Sequence, residues 1–196
     1  MTSGSTGPLG ALPGAPVGRL LERVSRDAFP FDEPDTTTPD TSAGFTARAL
    51  SADRQAVGEG RRFTGTILNR WALSPLVDNA ALIVSELLSN ALRYGLGGFP
   101  AWSSPTQAVW LGLMRREGTV LFAVCDHSAR VPQVKEADHL AQSGRGLHIV
   151  DCLSDTWGWT TPDTDGKAVW AAVSCRRESE GARLSPRHAQ GAGRLR

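Results

Sequence analysis

The run from Leu76 to Gly95 constrains this chain more than any other, because its pattern is that of a helix with two different faces. Leu76, Ala80, Ile83 and Leu87 recur at steps of three and four residues, and Val84, Leu88 and Ala91 widen that apolar face. Asn79, Glu86, Asn90 and Arg93 line the opposite side. Glu86 and Asn90, one turn apart, bring their Cβ atoms to about 6 Å. A carboxylate and a carboxamide held that way can share a water or a metal-bound ligand. Ser74 is expected to cap this helix with Pro75 at its first position, and Gly95 to end it in a left-handed cap. A surface helix with a solvated polar side would show the same pattern, so the rest of the chain must decide.

The flanking segments supply a sheet. Phe45 to Leu50 alternates like a strand, and a helix is expected from Asp53 to Trp71, locally weakened by Gly58, Gly60 and Gly65. Two strands follow, Gln107 to Arg115 and Thr119 to Asp126, joined by a tight turn at Glu117-Gly118. Residues 128–143 lack apolar periodicity and are expected to form a long mobile loop. Gly144-Arg145-Gly146 then opens a helix with Leu147, Ile149, Val150 and Leu153 on its apolar side, and strands at Thr156 to Thr160 and Ala168 to Ser174 close the domain. This order predicts an α/β sandwich: a mixed, mostly antiparallel sheet with helices on one face.

The domain is expected to span residues 43–176. Residues 1–42, rich in Gly, Pro, Ser and Thr, read as a disordered extension with at most a helical patch at Leu20 to Phe29, and 177–196 as a basic disordered tail.

Composition removes several functions. A net charge of +1 gives no general attraction to nucleic acid or to a membrane surface. No apolar run approaches the roughly 20 residues that span a bilayer, and residues 1–16 lack the basic start and apolar core of a signal peptide, so a cytoplasmic protein is expected. Cys125, Cys152 and Cys175 form no ligand pattern with the four histidines, which argues against a zinc site.

Three further features carry chemistry. Asp126 ends the apolar strand Val120-Leu121-Phe122-Ala123-Val124-Cys125, where a partly desolvated carboxylate can accept from an exocyclic amine such as that of adenine. A turn-capping role is its plain alternative. Gly144-Arg145-Gly146 resembles an anion cradle: the glycines allow close backbone approach, the helix N-terminus offers free N–H groups, and Arg145 adds a forked donor. It has neither the Walker nor the dinucleotide-binding spacing. Asn90 could ligate Mg²⁺ through its amide oxygen, Glu86 could orient or deprotonate an attacking hydroxyl, and Arg93 could meet a phosphate oxygen. Together these groups suit phosphoryl transfer.

Taken in order, the motifs resemble those of the gyrase, chaperone, histidine kinase and mismatch-repair ATPase superfamily. Glu86-x-x-x-Asn90-Ala91 is similar to its N box, Val124-Cys125-Asp126-His127-Ser128 to its adenine-binding box, and Gly144-Arg145-Gly146-Leu147-x-Ile149-Val150 to its second glycine box. Trp157-Gly158-Trp159 and Gly166-Lys167-Ala168-Val169-Trp170 resemble the end of a narrower branch, the anti-sigma-factor serine/threonine kinases of actinobacteria. The resemblance covers residues 45–175. It implies a Bergerat-type ATP fold with Asn90 as the Mg²⁺ ligand, and nucleotide contacts from Arg93, Asp126, Ser128, Gly144, Arg145, Gly146 and Leu147. It further implies a catalytic Glu86, with a sigma factor and an anti-anti-sigma antagonist as partners and a homodimer as the assembly. Glu86 supports the kinase branch, since histidine kinases usually carry another residue there, and no phosphoacceptor helix pair is expected upstream.

Two positions depart from the family pattern. The usual Asp-x-Gly is Asp126-x-Ser128. Ala168 is read as standing where a threonine hydroxyl often supports the adenine-binding carboxylate, at an expected loss of about 1 kcal/mol. The competing expectation is therefore a non-catalytic module that sequesters a regulator and uses ATP only as a sensing ligand, or binds no nucleotide.

Overall fold

The computed structural model describes residues 15–28, 44–51, 53, 55–95, 108–116, 118–132, 146–162 and 166–175. The elements in chain order are helix α1 (Ala15–Ala28), strand β1 (Gly44–Ser51), helix α2 (Gln55–Arg70), a 3₁₀ turn (Ser74–Leu76) and helix α3 (Val77–Asn90). A π turn (Ala91–Gly95) continues α3, followed by β2 (Ala108–Arg116), β3 (Thr119–Asp126), α4 (Gly146–Leu153), β4 (Thr156–Trp159) and β5 (Lys167–Ser174). The expected tail at 177–196 and residues 133–143 of the expected loop lie outside the described residues.

The strands form one five-stranded antiparallel sheet in the order β1-β2-β3-β5-β4, an α/β sandwich as expected. Side chains alternate across it. Val120, Phe122 and Val124 of β3, with Val169 and Ala171 of β5, pack beneath α2, α3 and α4. The α3 residues Ile83, Val84, Leu87 and Leu88 are all buried in this layer, so the apolar stripe read from the sequence is the one the fold uses.

The other face of the sheet is covered too. Leu121, Ala123 and Cys125 of β3 and Ala168, Trp170 and Ala172 of β5 pack against Leu20, Leu21 and Val24 of α1. Arg23 ties the helix down by donating from Nη2 to the Thr161 carbonyl at 2.6 Å. This corrects the reading at residues 15–28: the helical patch expected from Leu20 begins earlier, at Ala15, and forms a structural layer, while 1–14 and 29–42 lie outside the described residues. The physical reason lies in β3, which is buried along nearly its whole length and reads as a continuous apolar run rather than an alternating one. Such a strand needs cover on both sides.

One smaller expectation also changes. Ser74 does not cap α3; its hydroxyl donates to Asn69 Oδ1 at 2.8 Å, and the helix begins after the 3₁₀ turn with no side-chain cap. Past Asn90 the helical run widens into the π turn that reaches Gly95, and the residues that follow it, 96–107, lie outside the described residues. Among the described residues, no helix is long and apolar enough to cross a membrane.

Candidate functional site

α3 lies at the centre of the helical layer, between α2 and α4, and its polar side meets the start of α4. Glu86 and Asn90 are both half-buried there. A Cβ placed on Gly146 would stand 2.5 Å from Glu86 Oε2 and 3.6 Å from Asn90 Nδ2. Any larger residue would push the carboxylate away, so glycine at the first position of α4 is what allows the two helices to bring these groups together. Leu147, the next residue, is buried and anchors that first turn in the core. Gly144 and Arg145 lie outside the described residues.

Asn90 Nδ2 is buried and has no hydrogen-bond partner among the described residues. A buried amide left unpaired costs about 1–3 kcal/mol, which a ligand or a partner on it would recover. An amide oxygen one turn from a carboxylate is a donor set of the kind that suits a hard divalent cation such as Mg²⁺. The residues therefore fit the metal that the resemblance implies. Arg93 is carried on the π turn, is exposed, and has its guanidinium 6.0 Å from the Tyr94 ring centre.

A second group sits at the end of β3. Asp126 falls on the helix-covered face with Phe122 and Val124, and it is only 3% exposed. Its Oδ1 accepts from the Ser128 backbone N–H at 2.8 Å, closing a tight turn, and from Lys167 Nζ at 2.5 Å. Lys167 is the residue directly across the ladder from Asp126, and its Nζ also reaches the Ser128 carbonyl at 3.5 Å. Gly166, just before it, has φ +98°, and a Cβ there would run into the Asp126 carbonyl oxygen and His127 Cα. Only glycine takes that conformation without strain. The exposed His127 lies outside the buried group.

The expectation for Ala168 is overturned by this register. Ala168 pairs with Cys125, not with Asp126, and its side chain packs in the α1 layer on the opposite face. The position facing the carboxylate belongs to Lys167, which the sequence reading left without a role. Its signal was available: it is one of only two lysines in the chain, and it follows a turn glycine at the start of an apolar strand. Thr160 was also passed over. It is fully buried, and its hydroxyl accepts from the Ala168 N–H at 3.0 Å, which fixes the end of β4 against β5.

Burial and the neighbouring Asp126 push the Cys125 thiol up to about 12, so it stays neutral on the α1 side. Two of the tryptophans, Trp157 and Trp159, lie tilted against each other with ring centres 6.0 Å apart, and Trp157 donates to Asp151 Oδ1 at 2.9 Å. They are packing residues of the helical layer.

The helix-covered layer thus holds two polar groups, the Glu–Asn pair against the glycine that opens α4 and the buried carboxylate at the end of β3. The sequence profile of the histidine kinase-like ATPase domain matches residues 50–173, more than half of the chain, and the protein belongs to that family. α1 lies outside the matched stretch. A comparison with the curated proteins finds no match. Membership in an ATPase family implies that the domain binds ATP.

Proposed function

We propose that the protein is an ATP-dependent serine/threonine protein kinase that regulates transcription, holding a sigma factor and phosphorylating an antagonist of the anti-anti-sigma type. The observation that supports this reading is the Glu86 carboxylate set beside Asn90 and against the glycine that opens α4. Glu86 takes the proton of a serine or threonine hydroxyl as its oxygen attacks the terminal phosphorus of ATP, and the bond to the bridging oxygen breaks so that ADP leaves. Asn90 is the residue that would hold Mg²⁺, which when bound neutralises charge on the terminal phosphates. The free N–H groups at the start of α4, with Gly144, Arg145, Gly146 and Leu147, orient the phosphate oxygens, and Arg93 extends that field from the π turn. Asp126, held by the Ser128 turn, accepts from the amine of adenine. Little else is needed, since phosphoryl transfer depends mainly on positioning and charge neutralisation. On this reading the protein acts in the cytoplasm and works as a homodimer.

Calorimetry with Mg²⁺ and ATP on the wild type and Asn90→Ala is the direct test, followed by phosphate transfer to candidate antagonist proteins. Saturable binding that Asn90→Ala removes, with Glu86→Ala retaining binding and losing transfer, is the expected result. Absence of binding at millimolar ATP would end the kinase reading. Binding without transfer would leave an ATP-sensing module that captures its partner without modifying it.

A further inference from the structure

The Asp126–Lys167 pair is more than a salt bridge at a strand end. Both side chains are almost sealed, 2% and 5% exposed respectively. A pair so buried contributes little net stability, because desolvation offsets most of the attraction. What it does impose is geometry. Asp126 Oδ1 is already satisfied twice, by Lys167 Nζ and the Ser128 N–H. Among the described residues, that leaves Oδ2 as the carboxylate's one open acceptor. The Lys167 ammonium has three protons, of which Asp126 Oδ1 and the Ser128 carbonyl engage two. One N–H remains.

A single acceptor next to a single charged donor is a template for a base edge that presents one amine beside one ring acceptor. Adenine has that edge, in its 6-amino group and N1. Guanine presents two N–H groups side by side at N1 and N2, which favour a carboxylate with both oxygens open. Here one of them is taken.

We propose that Lys167 is a specificity-determining residue of the nucleotide site, donating directly to adenine N1 while Asp126 Oδ2 accepts from the 6-amino group. The inference rests on the ATP reading above and adds a second base-reading group to it. It also gives the carboxylate a partner that does not depend on a hydroxyl at position 168.

The probe is 1-deaza-ATP, in which N1 is replaced by C–H, compared with ATP on the wild type, Lys167→Met and Lys167→Gln, with Ala168→Ser as the control on the opposite face. Thermal melts establish that each variant is folded. The wild type and Ala168→Ser should prefer ATP by about tenfold or more, the loss expected when a charged hydrogen bond is removed. Lys167→Met should bind the two nucleotides equally. The wild-type comparison stands even if the lysine variants fail to fold. Equal affinity in the wild type, or a preference that survives in Lys167→Met, would leave Lys167 as a structural partner of Asp126 and overturn the proposal. So would tighter ATP binding by both lysine variants, which would make the lysine an obstruction. ATP binding without discrimination at N1 removes this inference alone, whereas absence of ATP binding removes the kinase reading with it.

Discussion

The two faces of the central sheet are built from the same strands and differ in kind. Under α2, α3 and α4 the apolar layer gives way at its margin to Glu86, Asn90, Asp126 and Lys167. Under α1 the buried cluster holds Leu20, Leu21, Val24, Leu121, Ala123, Cys125, Ala168, Trp170 and Ala172, and the buried charged residues among those described, Asp126 and Lys167, lie on the other face. The change of character happens between neighbours: Cys125 and Asp126, or Lys167 and Ala168, are one residue apart and face opposite ways. Pleating lets one sheet keep an apolar side and a side with a polar margin without separate elements for each. The first face should govern ligand affinity, and the second stability alone.

The sharpest attempt to break that division is to remove α1. Leu20, Leu21 and Val24 are each 3% exposed or less. At about 1.5–3 kcal/mol for each buried side chain, their loss is comparable to the whole stability of an ordinary domain. A chain trimmed to 44–176 should melt far below the full chain and bind a hydrophobic dye. A milder version is Leu21→Ala, expected to cost about 2–5 kcal/mol in denaturant titration while ATP affinity, read by calorimetry below the melting transition, stays unchanged. A change in affinity as large as that in stability would show that the two faces are coupled.

Gly166→Ala should cost roughly 1–3 kcal/mol from backbone strain at φ +98°. Because the added methyl displaces the Asp126 backbone, ATP binding should weaken with it. Ala168→Thr isolates the opposite face: overpacking against α1 should cost about 1–3 kcal/mol with no gain in ATP affinity. Were 168 the position that supports the adenine-binding carboxylate, the same change would tighten binding, by about fivefold for one added hydrogen bond.

The smallest effect concerns the thiols. Cys152 is exposed and should react with a thiol reagent at pH 8, whereas the buried Cys125 should react only on unfolding. Its folded value, raised to about 12 from an ordinary 9.0, also sets the sign of its pH dependence. Below 9.0 the thiol is neutral in both states and its contribution is constant. Between 9.0 and about 12 only the unfolded chain loses the proton, so stability falls as pH rises. Cys125→Ala should remove that part of the alkaline slope in melting temperature, measured against the wild type.

These contrasts also explain what could be read in advance. The α3 pattern was legible because helical periodicity sorts Ile83, Val84, Leu87 and Leu88 from Glu86 and Asn90 without knowledge of anything else. A mostly antiparallel sheet was legible from the strand order, and the pairing proves antiparallel throughout the described strands rather than mixed. α1 was not, since a short apolar stripe in a Gly- and Pro-rich stretch reveals a seat only when β3 and β5 are known to lack cover. The Lys167 role depended on register, and a shift of one residue along a strand exchanges the two faces, which is how Ala168 came to stand where Lys167 belongs. Gly146 against Glu86 is a contact between distant segments that no local pattern contains.

The cover of the second face has a consequence for the order in which the protein is made. α1 leaves the ribosome before any strand of the sheet, yet the surface that receives Leu20, Leu21 and Val24 is the β3–β5 ladder, completed only when residues up to Ser174 have been added. At about 5–20 residues per second, the delay is on the order of ten seconds. Throughout that interval the helix's apolar stripe has no seat in its own chain, and it is then that the nascent protein has most need of a chaperone.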